Sequence, residues 1–182
     1  MNIAVYCSSR EDLPQEAFDC ARATGEWIGR NRGTLVYGGV NAGLMHVTAQ
    51  AARAGGGHIT GVVPASFKHR ADPLCHELVL SRDLNDRKSK MIDLAEHFVV
   101  LPGGVGTIDE WLSTLSHLVV SGRDTSRIIV VNLHGMYDPL IEQLELSEQS
   151  VYSRGKRVNR SIIVDGAARL VAELERLTQH NK

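Results

Sequence analysis

The stretch His97-Phe98-Val99-Val100-Leu101-Pro102-Gly103-Gly104-Val105-Gly106-Thr107 decides the fold. His97–Leu101 is a short apolar run, and Pro102 closes it because proline cannot continue a strand ladder. A run that is apolar at successive positions, without alternation, reads as a strand buried on both faces of a parallel sheet. The glycines then turn the chain, and Thr107 opens an amphipathic helix over Thr107–Val120.

The same strand–turn–helix order recurs on either side. Toward the N-terminus, Ile3–Cys7 reads as a strand and Pro14–Arg32 as a helix, with Pro14 in its first turn and Gly33 as its stop. Thr34–Tyr37 is a strand, followed by the turn Gly38-Gly39 and a helix over Gly43–Ala54 that Gly55-Gly56-Gly57 ends. His58–Val63 is a strand closed by Pro64, Ala65–Cys75 a polar loop, Glu77–Leu80 a short strand and Leu84–Glu96 a helix. Beyond the central stretch come a strand at Arg127–Asn132, a helix at Tyr137–Leu146, a strand at Ser161–Val164 and a helix at Ala167–Thr178. Gln149–Arg160 is the least regular part. This order predicts one Rossmann-like domain over residues 1–182. It is a doubly wound α/β fold whose mainly parallel sheet carries helices on both faces through right-handed crossovers.

The 182 residues suffice for a full core, and a formal charge of −1 leaves no basic field for nucleic acid or an acidic membrane surface. The basic clusters Lys68–Arg70 and Arg154–Arg160 read as solvated loops. The three cysteines, Cys7, Cys20 and Cys75, are far apart and form no CxxC pair, which fits a reducing cytoplasm. The N-terminus turns polar after Cys7, too soon for a signal peptide, and no apolar run has the length of a membrane span. The eight histidines are scattered, with no HExxH and no tight Cys/His group, so no metal site is expected.

In open α/β sheets, ligands bind beyond the carboxyl ends of the strands. Two glycine turns sit there, Gly38-Gly39-Val40-Asn41-Ala42-Gly43 and Pro102-Gly103-Gly104-Val105-Gly106-Thr107. The second precedes a helix, whose N-terminus and glycine amides suit a phosphate. Known nucleotide fingerprints fail: there is no GxxxxGK[ST], Asp109 replaces the last glycine of a GxGxxG, and Asp124 precedes its strand instead of ending it.

Glu110 follows Thr107 by three residues. It reads equally as the acid of a capping box and as a carboxylate beside a bound phosphosugar. Leu84, Arg87, Met91 and Leu94 share one helical stripe, and an arginine on an apolar stripe needs a partner. That partner is either a structural carboxylate or the ligand. Lys88 points about a quarter-turn away, as a supporting charge. Asp86 and Asp109 flank these positions and fit a solvated helix face.

Residues 102–110, PGGVGTIDE, resemble the PGGxGTxxE motif of the LOG ("Lonely Guy") family, cytokinin riboside 5′-monophosphate phosphoribohydrolases long labelled possible lysine decarboxylases. Arg87-Lys88 with Met91 resembles the family's RK…M segment, Gly38-Gly39 with Gly43-Leu44-Met45 its GG…GLM turn, and Cys7-Ser8-Ser9 its first-strand turn. The likeness runs from Ile3 to about Leu146. It implies a cofactor-free homodimer with the active site near the interface. It also implies hydrolysis of AMP or N6-substituted adenosine 5′-monophosphates to free base and ribose 5-phosphate. It carries the catalytic pair onto Arg87 and Glu110, and phosphate binding onto Gly103, Gly104, Gly106 and Thr107. Ser8, Gly39, Met45 and Lys88 become further substrate contacts.

Two departures stand out: no glycine follows Cys7, and His46 replaces the glycine after Gly-Leu-Met. His46 is expected to narrow the pocket or to tighten a contact with the neighbouring turn. Two rival readings remain. One is a carrier of a phosphorylated cofactor, as in the molybdenum-cofactor carriers of related fold. The other is a decarboxylase using pyridoxal phosphate on a lysine, for which Lys88 and Lys90 lack a marked Schiff-base setting.

Overall fold

Among the described residues, seven strands form one parallel sheet in the order β4-β3-β2-β1-β5-β6-β7. The computed structural model of the protein describes residues 1–151 and 159–179. The strands are β1 Asn2–Tyr6, β2 Thr34–Tyr37, β3 His58–Pro64, β4 Glu77–Ser81, β5 His97–Val100, β6 Ile128–Val131 and β7 Ile162–Val164. The helices are α1 Gln15–Arg30, α2 Gly43–Ala54, α3 Leu84–Leu94, α4 Val105–Val120, α5 Asp138–Gln149 and α6 Ala167–Gln179. Short 3₁₀ turns occupy Ala65–Arg70, Thr125–Arg127 and Leu133–Gly135.

The unbroken apolar runs are explained by two cores, one on each face of the sheet. Alternate residues of each central strand point opposite ways. Val5, Leu35 and Val99 pack with Trp27 of α1, Leu44 of α2 and Leu170 of α6. Ala4, Val36 and Phe98 pack with Met91 of α3 and Trp111 of α4 on the other face. The doubly wound α/β fold read from the sequence is therefore the fold of the protein.

The strand order reverses between β1 and β5. β1 pairs with β2 on one side and with β5 on the other, Tyr6 lying opposite Val100. The chain leaves β1 toward α1 on one face and leaves β5 toward α4 on the other. The two exits diverge and open a crevice, where ligands of this architecture bind. Two bonds brace its walls: Leu101 N–H donates to Tyr6 O at 2.9 Å, and Ser8 N–H donates to Pro102 O at 3.2 Å.

Several expectations change in detail. The polar connection after β3 contains the 3₁₀ turn Ala65–Arg70. The apolar stripe of α3 is not buried as a stripe: Met91 and Ile92 are buried, whereas Leu84 and Leu94 are exposed. Asp124 caps the turn Thr125–Arg127 by accepting from Ser126 N–H. The irregular segment and basic cluster expected around Arg154–Arg160 fall largely on residues 152–158, outside the described residues. Among the described residues no helix is long and apolar enough to cross a membrane.

Candidate active site

The crevice is a cleft of about 360 Å³, in the size range of small-molecule sites. Its walls come from the exit of β1 (Cys7, Ser8, Ser9, Arg10), the start of α3 (Leu84, Arg87, Lys88) and the start of α4 (Gly104–Thr107, with Asp109 and Glu110). Met45 of α2 closes one side.

α4 begins two residues earlier than expected. Gly104 is its N-cap, with no side-chain capping bond, and no acidic residue lies in its first turn. The first helical bond runs from Ile108 N–H to Gly104 O at 3.1 Å. The amides of Val105, Gly106 and Thr107 therefore precede the intrahelical ladder and carry the helix's positive partial charge. A Cβ built on Gly104 or Gly106 would meet nothing within 4 Å, so the helix start is open toward the cleft. Gly103 differs: its Cβ would lie 2.1 Å from Thr107 Oγ1. It lets Thr107 fold back against the loop and does not itself line the cleft.

The capping box is overturned. With Gly104 as the cap, Thr107 lies inside the first turn, and Glu110 cannot bond back to it as an N-cap. Glu110 instead points to the cleft floor, where its Oε1 accepts from Arg87 Nη1 at 2.8 Å. The side chains of Glu110 and Arg87 are only 6% and 13% exposed, so the pair is nearly dry. Arg87 is fixed further by donating from Nε to Val62 O at 3.0 Å. It reaches this position because residue 38 is glycine; a Cβ there would sit 2.2 Å from Arg87 Nη2. Burial pushes the Glu110 carboxyl above its ordinary range, and the Arg87 guanidinium opposes that shift without cancelling it. A buried pair of this kind is weak evidence for stability, and its place in a cleft with a raised carboxyl makes it a candidate functional group.

The structure brings Ser8, Met45, Arg87, Lys88, Gly104, Gly106, Thr107 and Glu110 together around one cleft. Gly39 is not among its walls. It has φ +66°, and its Cβ would meet Val63 Cγ2 at 2.5 Å, so it serves the turn after β2. Lys88 forms a two-oxygen ion pair with Asp109 at 2.8 Å, joining α3 to α4 across the cleft mouth. Asp86 faces away and pairs with Lys90 and Arg82. His46 is not a wall residue; its Nδ1 lies 2.9 Å from Oδ2 of the buried Asp72, in the connection between β3 and β4. The exposed rim residues Leu84 and Val105 and the charged Arg10 were not foreseen as site residues. They are supplied by chain crossing, which no local pattern announces.

The sequence profile of the family described as "Possible lysine decarboxylase" matches residues 45–174. A cytokinin riboside 5′-monophosphate phosphoribohydrolase of Mycobacterium marinum is 39% identical over 166 residues, 90% of this chain and 87% of that one. The enzyme of the same name from Rhodococcoides fascians is 34% identical over 149 residues, 79% of this chain and 74% of that one. Among solved structures, the molybdenum cofactor binding protein of Rippkaea orientalis superposes with a TM-score of 0.75 at 18% identity, covering 97% of this chain and 96% of that one. That likeness is one of fold. The match over most of the chain, together with the cleft built from PGGVGTIDE and Arg87-Lys88, makes this protein a member of the LOG family of phosphoribohydrolases.

Proposed function

We propose that this cleft hydrolyses the N-glycosidic bond of AMP and N6-substituted adenosine 5′-monophosphates, releasing free base and ribose 5-phosphate. The observation that carries the reading is the dry Arg87–Glu110 pair set beside an open, uncapped helix start. The 5′-phosphate docks on the amides of Val105, Gly106 and Thr107, with Gly104 and Gly106 leaving the space for it. This anchors the ribose so that C1′ faces Glu110.

As the C1′–N bond breaks, the electron pair leaves with the base and positive charge develops on the sugar. A carboxylate held in dry surroundings is costly to keep charged, so a cation forming beside it is strongly favoured. Water adds its oxygen to C1′, and one of its protons ends on the base nitrogen. Arg87 keeps Glu110 in place and offers its remaining donors to the departing base. In this reading the protein works in the cytoplasm as a homodimer, whose second copy covers exposed Leu84 and Val105 at the cleft rim.

The family label of lysine decarboxylase finds no support in the cleft. Lys88 is engaged by Asp109, and Lys90 by Asp86 and Leu80 O, so neither amine is presented for a Schiff base. A carrier that holds a phosphorylated cofactor intact would need the open helix start but not the buried pair.

Glu110→Gln preserves the shape and the bond from Arg87 while removing the charge. Its expected result is a loss of base release from AMP on the order of 100-fold or more, with a folded protein by circular dichroism. Near-normal turnover would remove Glu110 from the chemistry.

A further inference from the structure

We infer that Tyr137, which does not line the cleft, is a positioning residue that sets the phosphate-binding loop from behind. The inference rests on the phosphoribohydrolase reading of the cleft, but its key measurement does not require turnover.

Tyr137 lies after β6 and just before α5, and it is 2% exposed. Its hydroxyl donates to Leu101 O at 3.0 Å and reaches Gly103 O at 3.4 Å. These carbonyls flank Pro102, whose own carbonyl is taken by Ser8 N–H at 3.2 Å. The Pro102 carbonyl is thus tied to Ser8, and the single phenol proton is shared between the carbonyls on either side of it, more closely with that of Leu101. In a trans peptide the C=O of one residue and the N–H of the next point in opposite directions. Holding the Gly103 carbonyl toward Tyr137 therefore turns the Gly104 N–H away from Tyr137, at the residue where the loop borders the cleft. A glycine pair without such tethers would sample many orientations.

The phenol is itself held firmly. Tyr137 N–H donates to Asn132 Oδ1 at 2.8 Å, and Asn132 Nδ2 donates to Asp138 Oδ1 at 2.6 Å. The ring packs edge-on against Trp111, the neighbour of Glu110, with centroids 5.6 Å apart. Burial raises the phenol to about 12, so it stays a donor throughout the working range. One buried hydroxyl therefore fixes the loop, while its ring supports the helix that carries Glu110.

Tyr137→Phe keeps the ring and removes the donor. Equilibrium dialysis with ribose 5-phosphate reads the loop directly and needs no catalysis. The expected result is a Kd about tenfold weaker than that of the unaltered protein, the size of one lost hydrogen bond. In kinetics, KM for AMP is expected to rise about tenfold with kcat changed far less, while unphosphorylated adenosine is handled as before. A purely structural role would depress kcat on both substrates and leave their ratio intact. Weakened ribose 5-phosphate binding in a protein that never cleaves AMP would leave the positioning role standing and remove the hydrolase. Equal ribose 5-phosphate affinity in the two proteins, or no measurable binding by either, would overturn the positioning role.

Discussion

The two glycine turns look alike in sequence and do opposite things. In the turn after β2, glycine removes side chains so that the protein can fill the space itself. Gly38 makes room for the guanidinium of Arg87, Gly39 for Val63, and Gly43, at φ +53°, for the backbone of Ser9 and Arg10. In the turn after β5, Gly104 and Gly106 remove side chains and nothing of the protein enters. The first turn is packing that makes room for the Arg87–Glu110 pair; the second leaves open space at Gly104 and Gly106, which the proposed function fills with a phosphate. A glycine count cannot separate them, because the distinction lies in what the rest of the fold brings to each position.

The largest effect expected from breaking this contrast comes from Gly38→Ala. The new methyl strikes the end of Arg87, a side chain that can swing away, so the fold should persist. The displaced guanidinium leaves Glu110 unpaired in a dry site. Base release from AMP should fall by on the order of 100-fold, comparable to losing one preorganised electrostatic group, and melting temperature should also fall, since a carboxylate left unpaired in a dry site costs about 3–5 kcal/mol. Unchanged kinetics would mean that Arg87 need not be where the structure holds it.

A second, smaller contrast pairs Gly43→Ala with Gly106→Ala. At residue 43 the added Cβ meets Arg10 O at 2.3 Å, and backbone cannot yield as a side chain tip does. The cost should be about 1–3 kcal/mol, a fall of roughly 2–12 °C in Tm by thermal unfolding. At residue 106 the methyl enters open space and replaces a poor helix former. Tm should hold or rise slightly, while KM for AMP rises several-fold (on the order of 1 kcal/mol of binding). Reversal of the two patterns would show that the second turn is packed and the first open.

The sequence showed the sheet and its double winding because buried strands leave unbroken apolar runs, such as Phe98–Leu101, that only a two-sided core explains. It also marked Arg87 as needing a partner. It did not reveal that the partner is Glu110, because the spacing Thr107-x-x-Glu110 is locally complete as a cap. Only the early helix start, with Gly104 as the cap, and the approach of α3 remove that option. Leu84 and Leu94 share the stripe yet stay exposed, because periodicity assigns a face to a helix without saying how far the neighbouring element extends over it. Tyr137 and Arg10 were invisible as site residues for a related reason: their relation to the loop spans 34 residues in one case and the β1–β5 crossing in the other.

In the proposed function the open start of α4 holds a phosphate and thereby presents C1′ to Glu110. The most direct test is product analysis for the unaltered protein given AMP and adenosine side by side. AMP should yield adenine and ribose 5-phosphate, with adenosine cleaved far more slowly. Equal cleavage of both, or tight retention of AMP without release of base, would contradict that function.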